Sequence, residues 1–192
     1  MAQLTGSNKI NIAVFISGTG SNLKSLIKFS KLKKSPIIIK LIISNNYNAK
    51  GLQYANIHKI KKKVFDFNNF LSEKKVINEL KKNDIHLICL AGFMKILSKS
   101  FIKNFKGKIL NIHPSLLPKY KGLNTHQRAI RNKDEYSGCT VHFVNSRLDS
   151  GKIISQKKVR VKKLDTPKTL AKRILIQEHK LYPEAIIKAL SL

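Results

Sequence analysis

The sequence predicts an α/β fold: a mostly parallel twisted sheet with flanking helices, followed by antiparallel strands in the C-terminal half. Three observations predict it. Apolar β-rich runs alternate with helical spacings from Ile10 to Ile112, the pattern of parallel strands joined by crossover helices. The first of these runs stops abruptly at a glycine turn, Ser17-Gly18-Thr19-Gly20. Two later β-like runs, Gly138 to Val144 and Lys152 to Lys162, are joined by a loop, Asn145 to Gly151, short enough for an antiparallel hairpin.

The elements follow in order. Ile10 to Ile16 reads as a buried strand, and Leu23, Leu26, Ile27 and Ser30 carry a helical spacing that Ser21 and Asn22 are suited to cap. A strand near Pro36 to Ser44, a helix near Lys50 to Ile57, a short strand near Lys63 to Phe67 and a helix near Leu71 to Lys82 come next. Strands at Ile85 to Ala91 and Lys108 to Ile112 flank a short helix at Ser98 to Phe105. Thr166 as N-cap and Pro167 in the first turn open a long amphipathic helix reaching Ile187, which Pro183 should kink or interrupt near Tyr182.

A chain of 192 residues can bury a sizeable core, and no stretch looks like a linker, so one domain spanning residues 1–192 is expected. Residues 1–8 are expected to be a loose terminus or residues added for expression. No apolar stretch approaches the ~20 residues needed to span a bilayer. Without a secretory leader pattern, and with Cys89 and Cys139 inside apolar segments, a cytoplasmic protein with reduced thiols is expected and no membrane partner.

Lys and Arg number 38 against 10 Asp and Glu, a formal charge of +28 that by itself suggests a nucleic-acid partner. The lysines are spread over nearly every segment, however, and the longest run is Lys61 to Lys63. A dedicated binding face concentrates its charge, so a nucleic-acid partner is not expected; such a surface steers anionic metabolites instead.

Ligands of open α/β sheets sit beyond the carboxyl ends of strands, which directs attention to two segments. In Ser17-Gly18-Thr19-Gly20-Ser21-Asn22 a strand passes into a helix, aiming backbone N–H groups and the positive helix end at the turn. Leu23 stands where a dinucleotide fingerprint needs its third glycine, and no Gly-Lys-Ser/Thr follows as in a triphosphate loop, so a monophosphate ester fits better. Taken alone, the segment fits a simple tight turn equally well.

The second segment is Asn111-Ile112-His113-Pro114-Ser115-Leu116-Leu117-Pro118. Asn111 and His113 alternate along a strand, so both side chains point to one side, and Pro114 keeps His113 extended. An amide donor beside an imidazole suits a carbonyl oxygen that gains negative charge during attack. A nearby carboxylate would raise the imidazole pKa, and Asp149 in the hairpin loop is the best candidate. Composition and spacing alone slightly favour Asp149 as a turn residue and His113 as a buried histidine held by a carbonyl. His58, His86, His142 and His179 show no matching partner at a strand end, and no His, Cys or carboxylate set has metal-ligand spacing.

Ordered motifs then make the chain recognisable: Ile16 to Asn22, Ala91 to Ser98, Asn111 to Tyr120, Gly122 to His126, Val141 to Val144 with Asp149 to Gly151, and Gln177 to His179. From Lys9 to about Leu190 the sequence resembles the phosphoribosylglycinamide formyltransferases, folate-dependent enzymes of purine biosynthesis. The resemblance implies a Rossmann-like N-terminal half in a formyltransferase fold, with Asn111, His113 and Asp149 as the catalytic residues. It implies 10-formyltetrahydrofolate as co-substrate, with no metal, and phosphoribosylglycinamide as acceptor. Gly18, Thr19, Gly20, Ser21, Asn22 and Glu178 match its acceptor-binding residues. Met94, Lys95, Ile96, Leu97 and Asn111, with Asn145, Ser146, Arg147, Leu148 and Asp149, match its folate-binding residues. Asp149 is implied to hold His113 charged. A monomer and a homodimer are both open.

Two departures stand out. Lys121 and Asn124 replace the Pro and His that family members often carry, which bears on the rigidity of that loop. A basic residue that often contacts the folate tail aligns near Asn69, so that contact is lost or passes to a neighbouring lysine. The closest rival is methionyl-tRNA formyltransferase, which looks similar around Asn111 to Pro118 and whose tRNA the charge would suit. Against it, the chain ends soon after Glu178, with no room for an RNA-binding domain. A rival of another class is a basic nucleic-acid-binding protein on a Rossmann-like fold, which predicts lysines gathered on one face.

Overall fold

A computed structural model describes residues 9–68 and 70–191. The expectations for residues 1–8 and for Asn69 lie outside the described residues. The strands are β1 (Ile10–Ile16), β2 (Ile37–Ser44), β3 (Lys61–Val64), β4 (Leu87–Leu90), β5 (Lys108–His113), β6 (Tyr136–Phe143) and β7 (Ile153–Arg160). The helices are α1 (Ser21–Ser30), α2 (Leu52–Ile57), α3 (Phe70–Lys82), α4 (Lys99–Asn104), α5 (Thr125–Arg131) and α6 (Pro167–Leu190). The seven strands form a sheet in the order β3-β2-β1-β4-β5-β6-β7, the expected fold class. Two compact units divide the chain, one running to Lys95 with Asn104–Lys108, the other comprising Ile96–Lys103 and the residues from Ile109 onward.

In the first unit β1 pairs in parallel with β2 and β4, and β2 with β3. Ile12 to Ile16 are fully buried, as a central parallel strand covered on both faces requires. Each such Ile or Phe side chain contributes roughly 1.5–3 kcal/mol of transfer free energy. Helix α1 buries Leu23, Leu26 and Ile27, and α3 buries Val76, Ile77 and Leu80, each on one helical stripe. Phe15, Phe67 and Phe93 meet edge to face, with centroids 4.9–5.9 Å apart.

Strand β3 lies closer to the N-terminus than expected. Its register pairs Leu41–Ser44 with Lys61–Val64, and Phe67, at φ 55°, turns its ring into the aromatic cluster. Lys61, Lys62 and Lys63 are exposed along this strand, which ends the sheet order. The start of α1 also differs: its N-cap is Gly20, in the left-handed region at φ 74°, and Ser21 is the first helical residue.

In the second unit β5 pairs antiparallel with β6, and β6 with β7, so the expected hairpin is present. Helix α6 begins with a capping box in which Thr166 accepts from the Thr169 N–H and Thr169 from the Thr166 N–H. A cap of this kind is worth about 1 kcal/mol. Of the expected kink or interruption at Pro183, the interruption is absent, and α6 runs for 24 residues. Buried Leu181, Tyr182, Ala185, Ile186 and Ala189 surround the proline, and packing on that face outweighs one lost backbone bond. Tyr182 donates from its hydroxyl to the Leu110 carbonyl at 3.2 Å, tying α6 to β5. Helix α5 has no counterpart among the expected elements, since it is seven residues long and buries only Thr125 and Ala129.

Candidate active site

Strand β5 carries Asn111 and His113, and the antiparallel register sets them opposite His142 and Thr140 of β6. The hairpin loop returns Asp149 to the same place. His113 Nδ1 lies 3.4 Å from Asp149 Oδ2, Asn111 Nδ2 donates to Asp149 Oδ1 at 3.3 Å, and the Gly122 N–H donates to Asp149 Oδ2 at 2.9 Å. His142 Nε2 lies 3.6 Å from Asp149 Oδ1 and 3.2 Å from Asn111 Nδ2. His113, His142 and Asp149 are all buried. An unpaired buried carboxylate would cost several kcal/mol, so these donors are what permits Asp149 to sit there.

The loop from Pro114 to Asn124 is fastened from below. Thr140 donates its hydroxyl to the Ser115 carbonyl at 2.6 Å and accepts from the Leu117 N–H at 3.1 Å. Gln156 donates to the Leu117 carbonyl and to the Thr140 hydroxyl. Tyr120 donates its hydroxyl to Asp134 at 2.8 Å, and the Arg128 guanidinium lies 4.9 Å from the Tyr120 ring centre. Tyr120, at φ 55°, turns its carbonyl to His113 Nε2 at 2.8 Å.

These contacts assign the protons. A carbonyl only accepts, so His113 Nε2 carries the hydrogen given to Tyr120, and Nδ1 faces a carboxylate that favours a second one. Burial pushes the His113 pKa down, while the Tyr120 carbonyl and the Asp149 charge push it up; the net direction is down. The expected raised pKa is therefore corrected, because desolvation of the ring outweighs one carboxylate. Burial raises the Asp149 pKa, yet His142, the Gly122 N–H and His113 together bring it below the usual carboxylate value. His142 gives its Nδ1 hydrogen to the Phe143 carbonyl at 2.8 Å, leaving Nε2 to accept from Asn111. His126 of α5 is partly buried, with its Nδ1 unpartnered and its pKa held down by burial and by His113.

Asn111 thus presents a donor beside an ionised acid, and His113 adds a second one at Nδ1 when its ring takes up a proton. The 3.4 Å Nδ1–Oδ2 separation exceeds an ordinary hydrogen bond of about 2.7–3.2 Å, so this N–H can turn to a substrate oxygen. The arrangement suits transfer at a carbonyl carbon.

Residues 10–186 match the family model described as Formyl transferase. The chain belongs to the formyl transferase family. It is 41% identical over 182 residues to the phosphoribosylglycinamide formyltransferase of Escherichia coli, covering 92% of this chain and 85% of that protein. It is 44% identical to the trifunctional purine biosynthetic protein adenosine-3 of Gallus gallus across 94% of this chain, but spans only 18% of that relative's length. The crystal structure of the phosphoribosylglycinamide formyltransferase from Brucella melitensis superposes with a TM-score of 0.88 at 42% identity, covering 93% of this chain and 94% of that one.

In this formyl transferase the expected trio of Asn111, His113 and Asp149 comes together. Sequence reasoning missed His142, which sits opposite Asn111 and within reach of Asp149. The available signal was its place in a strand pairing with the one that holds Asn111. Glu178 is buried on α6; burial of the Cys139 thiol, and next the Glu178 charge, push that thiol up to about 12. Asn145, Ser146, Arg147 and Leu148 are exposed, and the Arg147 N–H donates to Asn145 Oδ1 at 2.9 Å, an Asx turn.

In the first unit, the Gly20 carbonyl accepts the Lys24 N–H at 2.9 Å, while the first N–H groups of α1 have no intrahelical acceptor. A Cβ on Gly20 would stand 2.7 Å from the Gly51 Cα, so this turn needs glycine for close approach as well as for its positive φ. Ser17 accepts the Met94 N–H at 2.7 Å on its hydroxyl. Met94 and Ile96 are exposed apolar residues, Leu97 is buried, and Lys95 donates to Asn68 at 3.0 Å. No group of three His, Cys, Asp or Glu side chains among the described residues is placed to hold a metal ion. Nor is any described helix long and apolar enough to cross a membrane.

Proposed function

We propose that the chain transfers the formyl group of 10-formyltetrahydrofolate to the amine of 5-phosphoribosylglycinamide, a step of de novo purine biosynthesis. The observation that carries the reading is the grouping of Asn111, His113 and Asp149, in a chain whose E. coli relative bears that enzyme's name over 85% of its length. The donor set is suited to such a co-substrate: amide and imidazole N–H groups for a carbonyl oxygen, and exposed Met94 and Ile96 for a flat apolar ring. The folate supplies the formyl carbon.

The chain's own residues do the rest. Asn111 hands the N–H now given to His142 to the formyl oxygen as it becomes negative. His113 adds an Nδ1–H once its ring gains a proton, and Asp149 holds that imidazole oriented and stabilises the charge it then carries. The proton lost by the attacking nitrogen goes to the departing folate nitrogen. Gly18, Thr19, Gly20, Ser21 and Asn22 would hold the ester phosphate at the start of α1, and Glu178 the ribose or amine end. Met94 to Leu97 would meet the pterin, and Asn145 to Asp149 are further candidates for contact with the folate.

The buried thiols of Cys89 and Cys139, neither in a disulfide, suit work in the cytoplasm. A spectrophotometric assay offering glycinamide ribonucleotide and initiator methionyl-tRNA separately tests the reading. Formylation of the ribonucleotide is expected, and activity with the tRNA alone would reverse the choice of acceptor.

A further inference from the structure

Asp149 is held from one side by a tripeptide that also holds His113. The Tyr120 carbonyl takes the His113 Nε2–H at 2.8 Å, and the Gly122 N–H donates to Asp149 Oδ2 at 2.9 Å. Between them stands Lys121, exposed to solvent. Its ammonium donates to the Ser150 hydroxyl at 2.7 Å, and that hydroxyl donates to the Leu148 carbonyl at 2.8 Å. Arg128 of α5 in turn donates to the Lys121 carbonyl at 2.8 Å. Both neighbours of Asp149 are therefore engaged in one chain of bonds that starts at Lys121.

The backbone explains why such a fastening is needed. Asp149 has φ 44°, in the left-handed region, which costs a non-glycine residue roughly 1–2 kcal/mol. Residues Asn145 to Leu148 are exposed, so burial does little to hold the loop in this strained turn. A loop with so little packed surface opens locally at small cost unless polar contacts close it.

We propose that Lys121 is a positioning residue for Asp149, fastening the hairpin loop through Ser150 so that the carboxylate stays against His113 and Asn111. The lysine touches neither substrate nor reacting atoms; it acts by keeping a strained turn populated. Its kinetic consequence rests on the formyl-transfer reading, whereas its structural consequence does not.

The test compares Lys121→Met, Lys121→Arg, Ser150→Ala and the Met/Ala double variant with the unaltered chain. Amide hydrogen exchange in residues 146–150 is expected to quicken in Lys121→Met and Ser150→Ala and to stay near the original rate in Lys121→Arg. In formyl transfer, the two single losses should each lower kcat about three- to tenfold, with KM for the amine unchanged. The double variant should lose no more than either single one, as for two ends of one contact. Unchanged exchange in both single variants, or a double loss equal to the product of the singles, overturns the proposal. If the unaltered chain does not formylate the ribonucleotide, the functional reading fails, and the exchange rates still decide the role of Lys121.

Discussion

Asn111 and His142 face each other across the β5–β6 ladder with 3.2 Å between Nδ2 and Nε2, and both reach toward Asp149 Oδ1. His142 accepts the very N–H that a substrate oxygen would need. His142→Ala removes that acceptor and one neighbour of the carboxylate. It is expected to lower kcat about tenfold, the scale of one buried polar contact. Steady-state kinetics beside His113→Ala, which should lose orders of magnitude, would show the difference in rank.

Asp149→Asn keeps the size of the side chain and removes its charge. Turnover is expected to fall at least a hundredfold, since the charge that orients and stabilises His113 is gone. The same change removes an influence that raises the His113 pKa, so that pKa should fall further. An NMR titration of the imidazole checks the direction; an upward shift would show that Asp149 does not act on His113.

Both shifts make the fold sensitive to acid, in separate windows. A histidine whose folded pKa lies below its unfolded value of about 6.5 lends stability that is present above that pH and lost as pH falls toward the folded pKa. The depressed Asp149 lends stability above about 3.9 that is lost as pH falls through its folded value. His113→Gln should therefore lose less Tm than the original chain between pH 6.5 and pH 5, as thermal unfolding followed by circular dichroism would record.

The glycine turn before α1 separates two effects. Gly20→Ala meets a backbone atom at 2.7 Å and adopts a left-handed φ, so a loss of about 1–3 kcal/mol is expected. A Cβ on Gly18 meets nothing within 4 Å, so Gly18→Ala should stay within about 0.5 kcal/mol of the original chain. Urea unfolding distinguishes them, and equal losses would contradict the close approach of Gly20 to Gly51.

Much of the fold was legible because its central strands are continuous apolar runs and its helices carry clear stripes. Ile10–Ile16 and Phe70–Lys82 lie where periodicity puts them. The short α5 escaped because seven residues with little burial leave no stripe to read. Pro183 does not end α6, because packing around Tyr182 prevails over the local rule for a break. Asn111 and His113 could be paired by strand alternation, and the meeting with Asp149 is as expected. His142 was passed over because its partnership depends on the pairing of two strands, a register that single-strand spacing does not contain. The downward His113 pKa was equally out of reach, since it depends on how much water the folded chain takes from the ring.

The lysines of β3 bear on how the molecule behaves at high concentration. A terminal strand offers unpaired N–H and C=O groups to any passing strand, and adjacent ammonium groups on that rim make two identical rims repel before they can join. Salt shortens the reach of that repulsion, to about 3 Å at 1 M, so concentrated brine exposes the rim to self-adhesion that dilute buffer prevents.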